Sequence, residues 1–178
     1  MKHGHILKAF VLLLTLASCG AFRQNFSARL TEAERYSQLP AMFRGLYAGC
    51  SHSMPVFLQR LDDIGALETV AFVYHGWYAA STVALDDFTT RLTEAESSGA
   101  LDPQYYGAYA ASTWELAQFI ERVAMAGKIE GLPVIYRAQF AGGYQPPEVF
   151  YTRYTDAQKA GVCPAAYLGD YAASVWEW

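Results

Sequence analysis

The sequence predicts an all-α protein made of tandem 31-residue helical-hairpin repeats, forming a short solenoid or compact helical array. Three observations predict it. A six-residue motif recurs without a gap: Gly45-Leu-Tyr-Ala-Gly-Cys, Gly76-Trp-Tyr-Ala-Ala-Ser, Gly107-Ala-Tyr-Ala-Ala-Ser, Ala138-Gln-Phe-Ala-Gly-Gly and Gly169-Asp-Tyr-Ala-Ala-Ser begin 31 residues apart. Other columns keep the same phase, namely Phe26, Phe57, Phe88, Phe119 and Phe150, with Arg29, Arg60, Arg91, Arg122 and Arg153 three residues later. Within each unit Leu, Phe, Leu and Ala are spaced by three and four, which sets them on one face of a helix. A chain that is 53% hydrophobic and 17% charged has the apolar content to pack such helices rather than stay disordered.

The first element is not part of this array. Met1 to Lys8 is a short basic stretch, and Ala9 to Ala17 is an unbroken apolar and small run, too short for a permanent membrane span. The run ends in Leu16-Ala17-Ser18-Cys19, which resembles the lipobox of bacterial lipoprotein precursors. The resemblance implies a signal peptide over residues 1–18, acylation of Cys19 by palmitate-type chains, and a lipid anchor. Gly20 in place of Asp implies sorting to the outer membrane, with the body on the periplasmic side. Several acyl chains hold stably where one holds marginally. Removing residues 1–18 takes away Lys2 and Lys8, leaving 11 basic against 17 acidic residues and a net charge of −6. No nucleic-acid partner is expected of so acidic a chain, and its membrane contact should be the lipid rather than a basic patch.

Residues 19–25 read as a linker and 26–178 as the repeat domain, parsed as a partial unit 26–44, units 45–75, 76–106, 107–137 and 138–168, and a cap 169–178. Each unit starts a helix near Pro40, Pro103, Pro133 or Pro164, because the missing proline N–H would be unpaired in a first turn anyway. Gly142-Gly143-Tyr144-Gln145-Pro146-Pro147 and Ser53-Met54-Pro55 cannot lie inside a helix, so each unit should be a helix, a tight turn and a second helix. Units two and three lack so strong a breaker and could run on as kinked helices. Ser112 and Glu115 have the spacing of a capping box, and Gly99 and Gly161 suit the left-handed position that ends a helix. In length the unit resembles the hairpin repeats of the tetratricopeptide class, without their signature residues. That implies stacking and no function.

The shared columns read as packing. The Phe column, the Tyr47, Tyr78, Tyr109, Phe140 and Tyr171 column, and the Phe43, Tyr74, Tyr105, Tyr136 and Tyr167 column supply stacked rings, and each Arg should order its own hairpin through carbonyls or a Tyr ring. Function is better sought where units differ. The residue before each Gly, the residue after it and the one two beyond the Ser column vary, and they nominate His75, Trp77, Tyr106, Trp114 and Arg137 as an aromatic and polar strip for a peptide or glycan. No GxSxG, HExxH or CxxC pattern occurs, so no catalytic residue, metal ligand or cofactor is expected. Cys50 and Cys163 belong to distant units and are expected to be reduced and buried, a bond being open to them only if the array curls closed.

The expected function is a lipid-anchored periplasmic binding or scaffold module of the bacterial outer membrane, recruiting a protein or a peptidoglycan component. The alternatives are a small envelope enzyme such as a cell-wall hydrolase, and a structural accessory subunit of an envelope assembly.

Overall fold

The computed structural model describes residues 25–178, which are all-helical, with no strand among them. The signal peptide, Cys19 and all but the last residue of the linker lie outside the described residues. Among the described residues are ten α-helices of two kinds in alternation. The odd-numbered ones are α1 (Phe26–Arg35), α3 (Met54–Gly65), α5 (Leu85–Ser98), α7 (Leu116–Gly127) and α9 (Pro147–Ala160). The even-numbered ones are shorter: α2 (Ala41–Gly49), α4 (His75–Ala80), α6 (Tyr106–Ala111), α8 (Arg137–Gly142) and α10 (Leu168–Ala173). A single 3₁₀ turn leads into each of the last four.

Local sequence accounts for the ends. Asn25 caps α1, its side chain accepting from Ala28 N–H at 2.8 Å. Pro55 and Pro147 fall in the first turns of α3 and α9. Gly99 and Gly161 end α5 and α9 at φ 62° and 64°, the left-handed conformation that glycine reaches without steric cost. The capping box of α7 falls elsewhere than expected: Glu115 is the N-cap and pairs with Gln118, while the Ser112 hydroxyl donates to Tyr109 O and accepts from Trp114 N–H.

Each odd helix packs on the even helix that follows it, giving five complete hairpins rather than a partial unit, four full ones and a cap. The even helices touch in the order α2, α4, α6, α8, α10, and α10 touches α2 again. The array is therefore a closed ring, with the short helices inside and the long ones outside. The seam uses the same contacts as the joints before it. Ring pairs Tyr47–Phe57, Tyr78–Phe88, Tyr109–Phe119 and Phe140–Phe150 have centroids 5.4 Å apart, and Phe26–Tyr171 completes the set at 5.4 Å. His52 Nε2, Trp114 Nε1 and Gln145 Nε2 donate to the carbonyl 29 residues ahead, on Ser81, Gly143 and Ser174. Trp176 Nε1 donates across the seam to Cys50 O at 2.9 Å. Phe26 N–H donates to Glu177 O, and Trp178 stacks on Phe26.

The Arg column fixes each hairpin. Arg60 donates to Tyr78 O at 3.0 Å and Val83 O at 2.7 Å, and its guanidinium lies 3.9 Å from the Tyr78 ring centroid. Arg29, Arg91, Arg122 and Arg153 repeat the arrangement on Tyr47, Tyr109, Phe140 and Tyr171. These bonds engage the carbonyls on either side of the break after each short helix, so the chain bends there in every hairpin, including those without a strong breaker. Two of the acids three residues beyond the Arg serve the same joint: Glu32 and Glu94 accept from the hydroxyls of Tyr47 and Tyr109.

The Gly column marks where neighbouring inner helices meet most closely. A Cβ on Gly76 would lie 2.3 Å from Phe43 Cδ1, and one on Gly107 would lie 2.5 Å from Trp77 Cδ1. Gly65, at the end of α3, has nothing within 4 Å of such a Cβ. Gly76→Ala should therefore lower unfolding stability by about 1–3 kcal/mol, while Gly65→Ala leaves it unchanged or raises it by about 0.5–1 kcal/mol. Urea titration of the two variants checks the contrast, and equal effects would place the close approach elsewhere. Arg60→Met, which strands the carbonyls of Tyr78 and Val83, should cost about 3 kcal/mol in the same titration, with Arg60→Lys recovering only part of it.

Candidate functional site

Five inner helices around an axis leave room at the centre, and the residue after each column Gly points there. Leu46, Trp77, Ala108, Gln139 and Asp170 occupy this position, one from each inner helix. All five border a central cavity of about 220 Å³. A second layer, Gly49, Ala80, Ala111, Gly142 and Ala173, lines the same cavity toward the end where the inner helices finish. A smaller cavity of about 160 Å³ continues toward the other end between Met42, Val73 and Ala166. Leu46, Trp77, Gln139 and Asp170 border both, so they form the waist of the axis.

Asp170 is the chemical exception in this wall. It keeps a little accessible surface, which faces the cavities, but is otherwise enclosed. Its Oδ2 occupies the space that a Cβ on Gly45 would take, at 2.0 Å from that position. Its Oδ1 and the Oε1 of Gln139 are shut off from solvent without a hydrogen-bond partner. Burial raises the Asp170 carboxyl from 3.8 to about 7, against a smaller opposing effect of the Gln139 side chain. Tyr167 shares the Gly45 position with it, and Cys163 and Tyr136 also face it, both themselves raised, first by burial and in smaller part by the Asp170 charge.

The residues nominated from sequence have separate places. His75 is buried, and its Nε2–H donates to Val70 O at 3.1 Å. Trp114 spends its indole N–H on Gly143 O, with the Arg122 guanidinium 4.7 Å from its ring centroid. Tyr106 packs between two core clusters, and Arg137 reaches toward Gly127 at the end of α7. Trp77 alone of the five borders the axial cavities. It is joined there by Gln139 and Asp170, which share its column. Their signal was an amide and an acid in one of the two variable columns that flank the Gly.

Cys50 and Cys163 are free, buried thiols in different core clusters. Cys50 takes the place of the column Ser: its thiol donates to Tyr47 O and accepts from Arg29, and burial raises its pKa despite that cation. Burial pushes Cys163 up to about 12. Neither is poised as a thiolate nucleophile. His52, near Cys50 in sequence, is engaged on Ser81 O. Among the described residues no group of three or more His, Cys, Asp or Glu is arranged to hold a metal ion. No family model, curated protein or solved structure matches the chain.

The raised carboxyl fixes the sign of a pH dependence. Between about pH 4 and pH 7 the folded chain holds a proton on Asp170 that the unfolded chain has released, so stability falls as pH rises through this window. Asp170→Asn, of the same shape and uncharged, should match the native chain near pH 4. It should exceed it near pH 8, by up to about 4 kcal/mol. Denaturant titrations at several pH values check this, and a difference that does not grow with pH would mean the carboxylate is well solvated.

Proposed function

We propose that the protein is a lipid-anchored binding module on the periplasmic side of a bacterial outer membrane, tethered through Cys19 and recruiting a protein partner. The observation that supports this reading is the set of apolar side chains exposed where the inner helices start; the opposite end also exposes Tyr144 and Val175. Arg29, at the start of α1, reaches the carbonyls at the end of α2, so outer and inner helices run antiparallel and the loops between them collect at one end. That end exposes Met42, Phe72, Val73, Val134 and Ile135, with Ile135 68% accessible. A cluster of apolar side chains left in water is the usual mark of an interaction surface.

The tether would leave from the opposite end, where Phe26 meets Glu177. The six residue steps from Cys19 to Asn25 span at most about 20 Å, so a lipid on Cys19 keeps that end near the bilayer and turns the apolar end toward the periplasm. No helix among the described residues is long and apolar enough to cross a membrane, which leaves attachment to the lipid in this reading.

Two measurements on intact envelopes test it. Cys19→Ser should move the protein from the membrane to the soluble fraction, and persistence in the membrane would refute the anchor. A photo-crosslinking residue at Ile135 should give a discrete protein adduct that Val73→Asp abolishes, while the same probe at Tyr144, on the tether end, gives none. Equal adducts from both ends, or capture of peptidoglycan alone, would refute a protein partner at the loop end.

A further inference from the structure

Among the described residues no cation is set against the axial carboxylate. Among the described residues, the Gln139 side chain is the one group that favours the ionised form of Asp170. The two unsatisfied atoms at this level, Asp170 Oδ1 and Gln139 Oε1, are both acceptors. Below about pH 7 the proton on the carboxyl is itself a donor; once it is lost, a positively charged donor suits the carboxylate best, since a charge-assisted hydrogen bond is stronger than a neutral one. The rest of the wall is apolar and of matching character. Trp77 presents an indole, whose face attracts cations. Ala80, Ala111 and Ala173 leave smooth space beside it for a hydrocarbon chain. A quaternary ammonium would leave the acceptors without an N–H, and a neutral alcohol would leave the carboxylate without a charge. The cavities, about 220 Å³ and 160 Å³ on either side of the waist, have room for a small molecule and none for a folded polymer segment.

We propose that the axial cavity is a binding site for a small molecule carrying a protonated primary amine. Its ammonium group rests against the part of the Asp170 side chain that faces the cavity, and its carbon chain lies along Trp77 and the alanine wall. The larger cavity lies beyond the waist from the apolar loop end, whose Met42 and Val73 border the smaller one, and the proposal is independent of any lipid anchor. Its occupant would also complete a ring whose centre is otherwise a charge facing small apolar side chains.

Isothermal titration of the purified full chain near pH 8 tests the proposal, with n-butylamine as probe and n-butanol and tetramethylammonium as controls. The expected result is saturable 1:1 binding of n-butylamine and much weaker binding of both controls. Asp170→Asn should weaken n-butylamine by about tenfold or more. Ala111→Leu, which fills the cavity without touching the carboxylate, should abolish binding while thermal unfolding stays cooperative. The proposal is overturned if the cooperatively folded chain shows no saturable amine binding. It is equally overturned if n-butanol binds as tightly, or if Ala111→Leu leaves the affinity unchanged.

Discussion

A helix of six residues cannot satisfy its own last carbonyls, and four of the five inner helices are of that length. Left to itself such a segment would be marginal in water. Here the carbonyls that follow from its last turn are taken by a guanidinium from the preceding outer helix, which also lies over the aromatic ring of the segment it holds. Arg suits the task because its fork delivers several N–H donors in a fixed plane and its flat face packs on a ring. Everything else follows from that clamp: the sharp break after each inner helix, the antiparallel hairpin, and the small residues that can be packed on the axis because the helices carrying them need no long side chains to be held.

The clamp explains which parts of the fold were legible in the sequence. Arg and ring columns in strict register could be read as hairpins ordered by Arg through carbonyls or a Tyr ring, and both kinds of contact are present. Gly99 and Gly161 could be read as helix ends from their type alone. The break at Ser112 to Glu115 was harder, since no residue there forbids a helix; it is imposed by Arg91, which lies some twenty residues earlier. That long-range cause also displaced the capping box from Ser112 to Glu115.

Closure was not legible, because a period fixes what each unit contacts next but not the angle by which it turns. Five units close only if each turns by about 72°, and no residue pattern states an angle. The seam pairs, Trp176 with Cys50 and Phe26 with Tyr171, continue the spacing of the earlier joints once counting wraps around the ring. The same gap hid the candidate site. Asp170 and Gln139 stood in a column recognised as variable, but only a closed ring turns that column into the wall of an axial cavity and makes its acid an unusual one. The strip of His75, Trp77, Tyr106, Trp114 and Arg137 was read along one edge of a stack, whereas the ring sets Trp77 at the axis, Trp114 in a joint between hairpins and His75 on a carbonyl of its own hairpin.

An open stack of repeats has two ends that differ from its middle and must be capped against solvent and self-association. A ring has none. With Phe26 hydrogen-bonded to Glu177, the seam between α10 and α1 is one of a set of similar joints. The chain could be joined there by a short linker and reopened in any other loop between an inner and an outer helix, and the same five clamps would form in a rotated order. Circular permutation thus becomes a symmetry operation of the fold rather than a perturbation of it, since the five joints share their ring pairs while differing in the side chains they bring to the axis.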